Sequence, residues 1–294
     1  MANLKEIRTR IASVTSTRQI TSAMKMVAAA KLKKAQDSVT NFRSYADKMQ
    51  EVITHVALSV RHDENSVFTK YREYVNVLIV VITTNKGLCG AFNSNVIKGA
   101  MQLAEKKYSG DLAPNKIRYM AIGKKGYDML RKRKVAVDDP NTDIIEHLTY
   151  ENAAKVAEQL MDKFVSGHYD CIDVVYNEFI NAASQKVVCK QFLPLSSEEP
   201  ADNKKKVSAD YIYEPSKAVI LHEMIPQSLR ITLYAALLDS VASEFGARMT
   251  SMHQATDNAS TLIHELTLQY NKARQAAITN EILEIVGGAE ALKG

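Results

Sequence analysis

The first 86 residues of this chain contain neither glycine nor proline, and all six prolines fall between Pro114 and Pro226. The first glycine is Gly87, and residues 227–286 hold a single one, Gly246. Proline removes a backbone donor, and glycine costs a helix interior about 1 kcal/mol. Long helices are therefore open to both ends of the chain and closed to its middle.

Apolar spacing agrees. Asn3 is placed to cap a first helix, with Glu6 as its capping-box partner. Leu4, Ile7, Ile11 and Val14 then recur at helical spacing, and Ile20, Met24 and Val27 continue a narrow stripe. A helix reaching Val60 would span roughly 85 Å. Near the other end, Ala259, Ile263, Leu266, Tyr270, Ala273 and Ala277 alternate spacings of four and three, the seam of a left-handed coiled coil. A narrow stripe leaves each helix half-buried at best, so the two are expected to pair antiparallel. That pairing divides the chain into an N-terminal coiled-coil helix (1–65), a central α/β domain (70–215) and a C-terminal coiled-coil helix (216–294). Gly246, inside the last helix, marks a bend or a close crossing.

Alternating elements fill the middle. Strands are predicted at Val75–Thr83, Ile117–Ile122, Cys171–Tyr176 and Lys186–Phe192, with helices at Ser94–Lys107, Lys124–Arg133 and Glu151–Val165. Such alternation favours a mainly parallel sheet with helices on its faces. Ser196–Ala209 reads as a polar surface loop. The fold class is thus α/β: a long antiparallel helical coiled coil with an inserted Rossmann-like domain.

Little in the sequence asks for catalysis. TTNKGLCGAFN (Thr83–Asn93) and GKKGY (Gly123–Tyr127) follow strands, where a doubly wound fold places its ligand loops. Neither has phosphate-loop or dinucleotide spacing, and both read as tight turns before helices. The seven histidines never fall at chelating intervals. Cys89, Cys171 and Cys189 include no close pair and read as small buried hydrophobes. No metal or cofactor is expected. No apolar run approaches the ~20 residues that span a bilayer, and the charged N-terminus lacks a secretion signal's apolar core. The chain is expected to reach a membrane only through partners. Residues 1–34 carry eight Lys or Arg against one acid, a segment that should seek an acidic surface. No aromatic residue accompanies those charges, which removes stacking platforms for single-stranded nucleic acid. Duplex binding by charge alone stays open, as in an arm-and-hinge coiled-coil protein, and so does a small Rossmann-like enzyme flanked by dimerising helices.

Three long strings narrow these readings. IRTRIASVTSTRQITSAMKMVAAAKLKKAQ (Ile7–Gln36), GLCGAFNSN (Gly87–Asn95) and ARMTSMHQATDNASTLIHELTLQYNKARQAAITNEILEIVGGAEAL (Ala247–Leu292) resemble, in this order and spacing, the gamma subunit of F-type ATP synthases. The resemblance spans essentially the whole chain. It implies a central rotor shaft with no catalytic site, whose coiled coil enters a hexamer of alternating α and β subunits (α3β3). The central domain would lie nearer the membrane, with the epsilon subunit and the c-ring. Proton flow would turn the ring and the shaft, and the catalytic β subunits would change conformation in turn. Nucleotide would bind the hexamer, and nucleic acid would play no part.

The resemblance also supplies contact candidates: Met24 and Lys25 on the first helix, and Arg248, Arg274 and Gln275 on the last. Arg274 and Gln275 match positions that in relatives hydrogen-bond a loop of one β subunit, and Arg248 matches a position linked to coupling efficiency. His253 and Gln254 stand where relatives often carry Lys and Ala, so contacts there transfer less well. Chloroplast relatives insert a closely spaced cysteine pair that this chain lacks, so no dithiol switch is expected. The implied location is the cytoplasmic face of a bacterial inner membrane.

Overall fold

The computed structural model describes residues 4–59, 68, 75–108, 116–195 and 217–291. The expected cap Asn3 and the loop Ser196–Ala209 lie outside the described residues. In chain order the elements are α1 (Leu4–Ser59), β1 (Val77–Ile82), α2 (Phe92–Leu103, prolonged by a π turn, Ala104–Tyr108), β2 (Ile117–Ile122), α3 (Lys124–Lys132), β3 (Val137–Asn141), α4 (Tyr150–Val165), β4 (Cys171–Phe179), β5 (Gln185–Leu193) and α5 (Lys217–Ala291). They form two units, residues 30–247 and residues 1–29 with 248–294.

The unit of residues 30–247 is built on a five-stranded sheet in the order β3-β2-β1-β4-β5. The first four strands run parallel, and β5 is antiparallel to β4. A short turn joins β4 to β5, too short for the crossover a parallel pair needs. Strand β1 is buried along its whole length, which is why it reads as unbroken aliphatic sequence. Its Val77, Ile79 and Val81 pack with Val96 and Ile97 of α2 and Leu130 of α3. Leu78, Val80 and Ile82 face the other way, into Val156 and Leu160 of α4 and Leu229 and Leu233 of α5. The expected parallel sheet with helical layers is therefore present, with α5 among those layers. Pro226 sits inside α5 between Ile225 and Leu229, both in this core. Their burial offsets the roughly 3 kcal/mol a helical proline costs.

One strand was not expected. Strand β3, VDDPN, has a single aliphatic residue and a proline, a composition that only a sheet edge tolerates. Asp138 on this strand accepts from Tyr169 and pairs with Arg118, and these two partners hold its carboxyl below the ordinary range against the opposing effect of burial. Cys89 and Cys171 are buried as anticipated, but Cys189 is exposed, because β5 is the other sheet edge.

Within this unit α1 and α5 run antiparallel. Lys31 Nζ lies over the Phe245 ring at 5.6 Å, Phe42 meets Tyr234 edge-on at 4.8 Å, and Arg43 Nη2 donates to Asp239 Oδ1 at 3.0 Å. Residue 31 meets residue 245, whereas residues 42 and 43 meet the earlier residues 234 and 239.

The second unit is a two-helix coiled coil. Ile7 and Ala28 of α1 and Met252, Ala259 and Leu266 of α5 are buried, with Ile11, Val14, Thr21 and Lys25 half-buried beside them. On α5, Thr256, Ile263, Tyr270, Ala273 and Ala277 complete the seam, so the predicted 4-3 register holds there. On α1 it holds with one correction. Ile20 and Val27 are 60% and 57% exposed; Thr21, one position on, occupies the seam, and its hydroxyl is bonded to that of Thr256 at 2.9 Å.

Candidate functional site

The surface of the coiled-coil unit is the candidate site, and its features follow from heptad geometry. A seam repeating every seven residues turns the positions beside it outward. Ile20, Met24 and Val27 recur at spacings of four and three just off the seam. Ile20, Met26 and Val27 are exposed, and Met24 and Lys25 are half-buried. This stretch of α1 thus presents an apolar ridge, the reverse of the inward stripe expected for Ile20 and Val27.

On α5, Arg248 is buried, with 9% of its surface accessible, whereas Arg274 and Gln275 are exposed. Arg248 and Arg274 are 26 positions apart on one helix, roughly 39 Å at 1.5 Å per residue. The predicted contact residues therefore do not converge on a single locus. They mark places along a rod.

One feature was missed by sequence reasoning. From residue 278 to residue 290 α5 is exposed throughout, including Ile278, Ile282, Leu283, Ile285 and Val286 at 47–71%. The signal was available: after Ala277 the aliphatics leave the seam register, so they cannot share its partner. Contiguous exposed aliphatics of this kind mark an interaction surface.

Seven exposed hydroxyls of the rod are bonded back to their own helices. Thr9, Ser16 and Thr17 of α1 donate to the carbonyls of Lys5, Ala12 and Ser13. Ser260, Thr261, Thr267 and Thr279 of α5 do the same to the carbonyls of Thr256, Asp257, Ile263 and Gln275.

In the α/β unit, the two glycine-bearing turns bind each other. Lys124 N–H donates to Asn85 Oδ1 at 2.9 Å, Lys125 N–H to the Thr84 carbonyl at 3.0 Å, and Gly126 N–H to Thr83 Oγ1 at 2.9 Å. These are the leading amides of α3, the groups that nucleotide-binding folds aim at phosphate. Here they are taken by the turn after β1. That turn is itself closed by Asn93, whose Oδ1 accepts from Thr84 N–H at 3.0 Å and whose Nδ2 donates to Thr84 Oγ1 at 2.9 Å. Both stretches serve as tight turns knitting β1, β2 and their helices.

Residues 3–292 match the family model described as ATP synthase. The chain is 56% identical to the ATP synthase gamma chain of Flavobacterium psychrophilum over 295 residues, covering 100% of both. This chain belongs to the ATP synthase gamma-chain family. Among solved structures, it is similar to a chain of the Tetrahymena thermophila mitochondrial ATP synthase, from its central stalk and c-ring, with 26% identity and a TM-score of 0.55 over 80% of this chain and 99% of that one. A chain of the Euglena gracilis mitochondrial ATP synthase shares the fold, with 23% identity and a TM-score of 0.68 over 98% of this chain and 94% of that one. As a gamma-chain family member it is a non-catalytic subunit of a membrane-bound complex. No helix among the described residues is long and apolar enough to cross a membrane.

Proposed function

We propose that this chain is the central shaft of a proton-driven F1Fo ATP synthase, carrying rotation between a c-ring and the catalytic β subunits of an α3β3 hexamer. One observation carries the reading beyond family membership. The α5 tip exposes five large aliphatic side chains that the described chain does not bury, and a helix end of this kind calls for an enclosing partner. The apolar ridge around Met24, with Lys25 beside it, offers a second face to the same sleeve. Arg274 and Gln275, exposed on α5, are suited to reach a β-subunit loop, since a guanidinium can hold a carboxylate through two bonds. Arg248, buried, acts on coupling by fixing the helix rather than by reaching outward. The α/β body engages the epsilon subunit and the c-ring. Nucleotide binds the hexamer and nucleic acid is no partner. The chain lies at the cytoplasmic face of a bacterial membrane, held there by those partners.

The test is reconstitution with matched α and β subunits. A complex with one copy of this chain per three αβ pairs, hydrolysing ATP where the chain alone does not, is the expected result. Failure to associate would return the hinge-type coiled coil to the front, and salt-sensitive duplex binding would then be its signature.

A further inference from the structure

We infer that the crossing of α5 at Ser243, Gly246 and Ala247 is the joint through which the α/β body grips the helix and passes torque into it, an inference that rests on the shaft reading above. Ile225, Leu229, Leu233 and Leu237 of α5 lie in the sheet core, and a part-exposed ion pair joins Arg230 to Glu158 of α4 at 3.0 Å. The aliphatic contacts resist displacement by close packing but fix no bond direction, and a lone part-exposed ion pair contributes little. A joint that transmits rotation needs directional or hard contacts away from the helix axis. Among the described residues, buried contacts of this kind gather within one turn of helix.

Ser243, fully buried, donates through Oγ to the Asn177 carbonyl on β4 at 3.1 Å. Asn177 in turn donates through Nδ2 to the Phe92 carbonyl at the start of α2, at 3.4 Å. Ala247 packs with Cys89 and Phe92. At Gly246 the helix backbone passes so close to the β4–β5 turn that an added Cβ would stand 3.0 Å from the Ala182 carbonyl oxygen and 3.4 Å from its Cα. Of the two expectations at this glycine, a bend or a close crossing, a close approach is present, and it explains a residue that otherwise only weakens the helix. Three separate pieces of the body thus hold α5: strand β4, the β4–β5 turn and the turn ahead of α2.

Both turns are braced. Asn181 Oδ1 accepts from the amides of Ala183 and Ser184 at 3.0 and 2.7 Å, and Asn93 locks the other turn through Thr84. One residue beyond the joint, at Arg248, α5 enters the coiled-coil unit.

The test uses the assembled complex of this chain with α and β subunits free of cysteine, hexamer fixed to a surface. A bead is attached to the body through Cys189, the exposed cysteine of the three. The angular variance of the bead in a nucleotide-arrested state reads the stiffness between body and shaft. Gly246→Leu, which drives the β4–β5 turn away, and Ser243→Ala, which removes the bond to Asn177, are each expected to raise the variance about 1.5-fold, since losing one of three comparable parallel holds leaves about two-thirds of the stiffness. Leu233→Ala, which thins the core elsewhere on α5, is expected to leave it unchanged. Should Gly246→Leu fail to assemble, Ser243→Ala decides. Normal assembly with unaltered variance in Ser243→Ala, or an equal rise in Leu233→Ala, would overturn the joint. A wild-type chain that does not join the hexamer would overturn the shaft reading and the joint with it.

Discussion

Substituting Gly123 by alanine should separate backbone geometry from every other source of stability in the α/β body. Gly123 has φ +104°, a conformation L side chains rarely adopt, and a Cβ there would lie 2.3 Å from the Thr83 carbonyl oxygen and 2.8 Å from its carbon. Thr83 has little room to yield. Its N–H is bonded to the Ile122 carbonyl at 2.8 Å, and its hydroxyl accepts from Gly126 N–H. The forced φ costs about 1–3 kcal/mol, and a shift of the β1 end large enough to relieve the clash loses the Gly126 bond, about 1 kcal/mol more. The expected destabilisation is therefore about 2–4 kcal/mol, a large share of the 5–15 typical of a domain. Gly287 is the internal control. It lies in α5 with nothing within 4 Å of an added Cβ, so Gly287→Ala should be neutral or stabilising by up to about 1 kcal/mol. The chain has no tryptophan and 13 tyrosines, of which Tyr108, Tyr119, Tyr169 and Tyr176 are buried in the body. Urea unfolding followed by tyrosine emission thus reads the relevant unit. With a slope of about 2 kcal/mol per molar urea, the midpoint should fall by about 1–2 M. A fall no larger than that of Gly287→Ala would refute the reasoning.

Three further outcomes are expected. Burial, opposed by Arg43 and assisted by Glu178, raises the Asp239 carboxyl above its ordinary value. Folding then favours the protonated form, so this group stabilises the chain at low pH and the contribution is lost as pH rises through the folded value. Asp239→Asn should flatten that part of the stability–pH curve, and a parallel curve would contradict it. Arg274→Ala should lower turnover of the reconstituted complex while leaving hexamer association near normal, because the side chain is exposed and outside the seam; equal loss of both would mean a structural role. Deleting residues 278–294 should leave the urea midpoint of the isolated chain unchanged, since the described residues there are exposed, yet reduce coupled ATP synthesis. Undiminished synthesis would count against the tip as a contact.

The breaker pattern and the hydrophobic period made the two long helices and the central strands legible, because burial on both faces writes itself as unbroken aliphatic sequence in β1. The same rule hid β3, whose edge position needs no apolar run. On α1 the seam passes through Thr21 and Lys25, two polar residues that break the visible stripe, and the eye slips one position to Ile20 and Val27. Exposure there is a property of which helix lies opposite, and sequence spacing alone does not carry it. The contact candidates came from resemblance, which located them along the chain but was silent on depth: Arg248 is buried and Arg274 is not. The joint at Gly246 was half-legible. A glycine in a long helix announces a close approach without naming Ala182 as what approaches.

The hydroxyls bent back onto their own helices bear on how a rod of this kind behaves inside a ring. Thr9, Ser16 and Thr17 on α1, and Ser260, Thr261, Thr267 and Thr279 on α5, have already committed their protons one turn back. To grip a surrounding wall, each would first have to give up a bond worth about 1 kcal/mol. What they show the wall is methyl and methylene surface and spare lone pairs. These hydroxyls therefore add little to the angular energy profile of such a rod, and directional contact is left to its many exposed charged side chains, among them Arg8, Arg10, Arg18, Lys272 and Arg274.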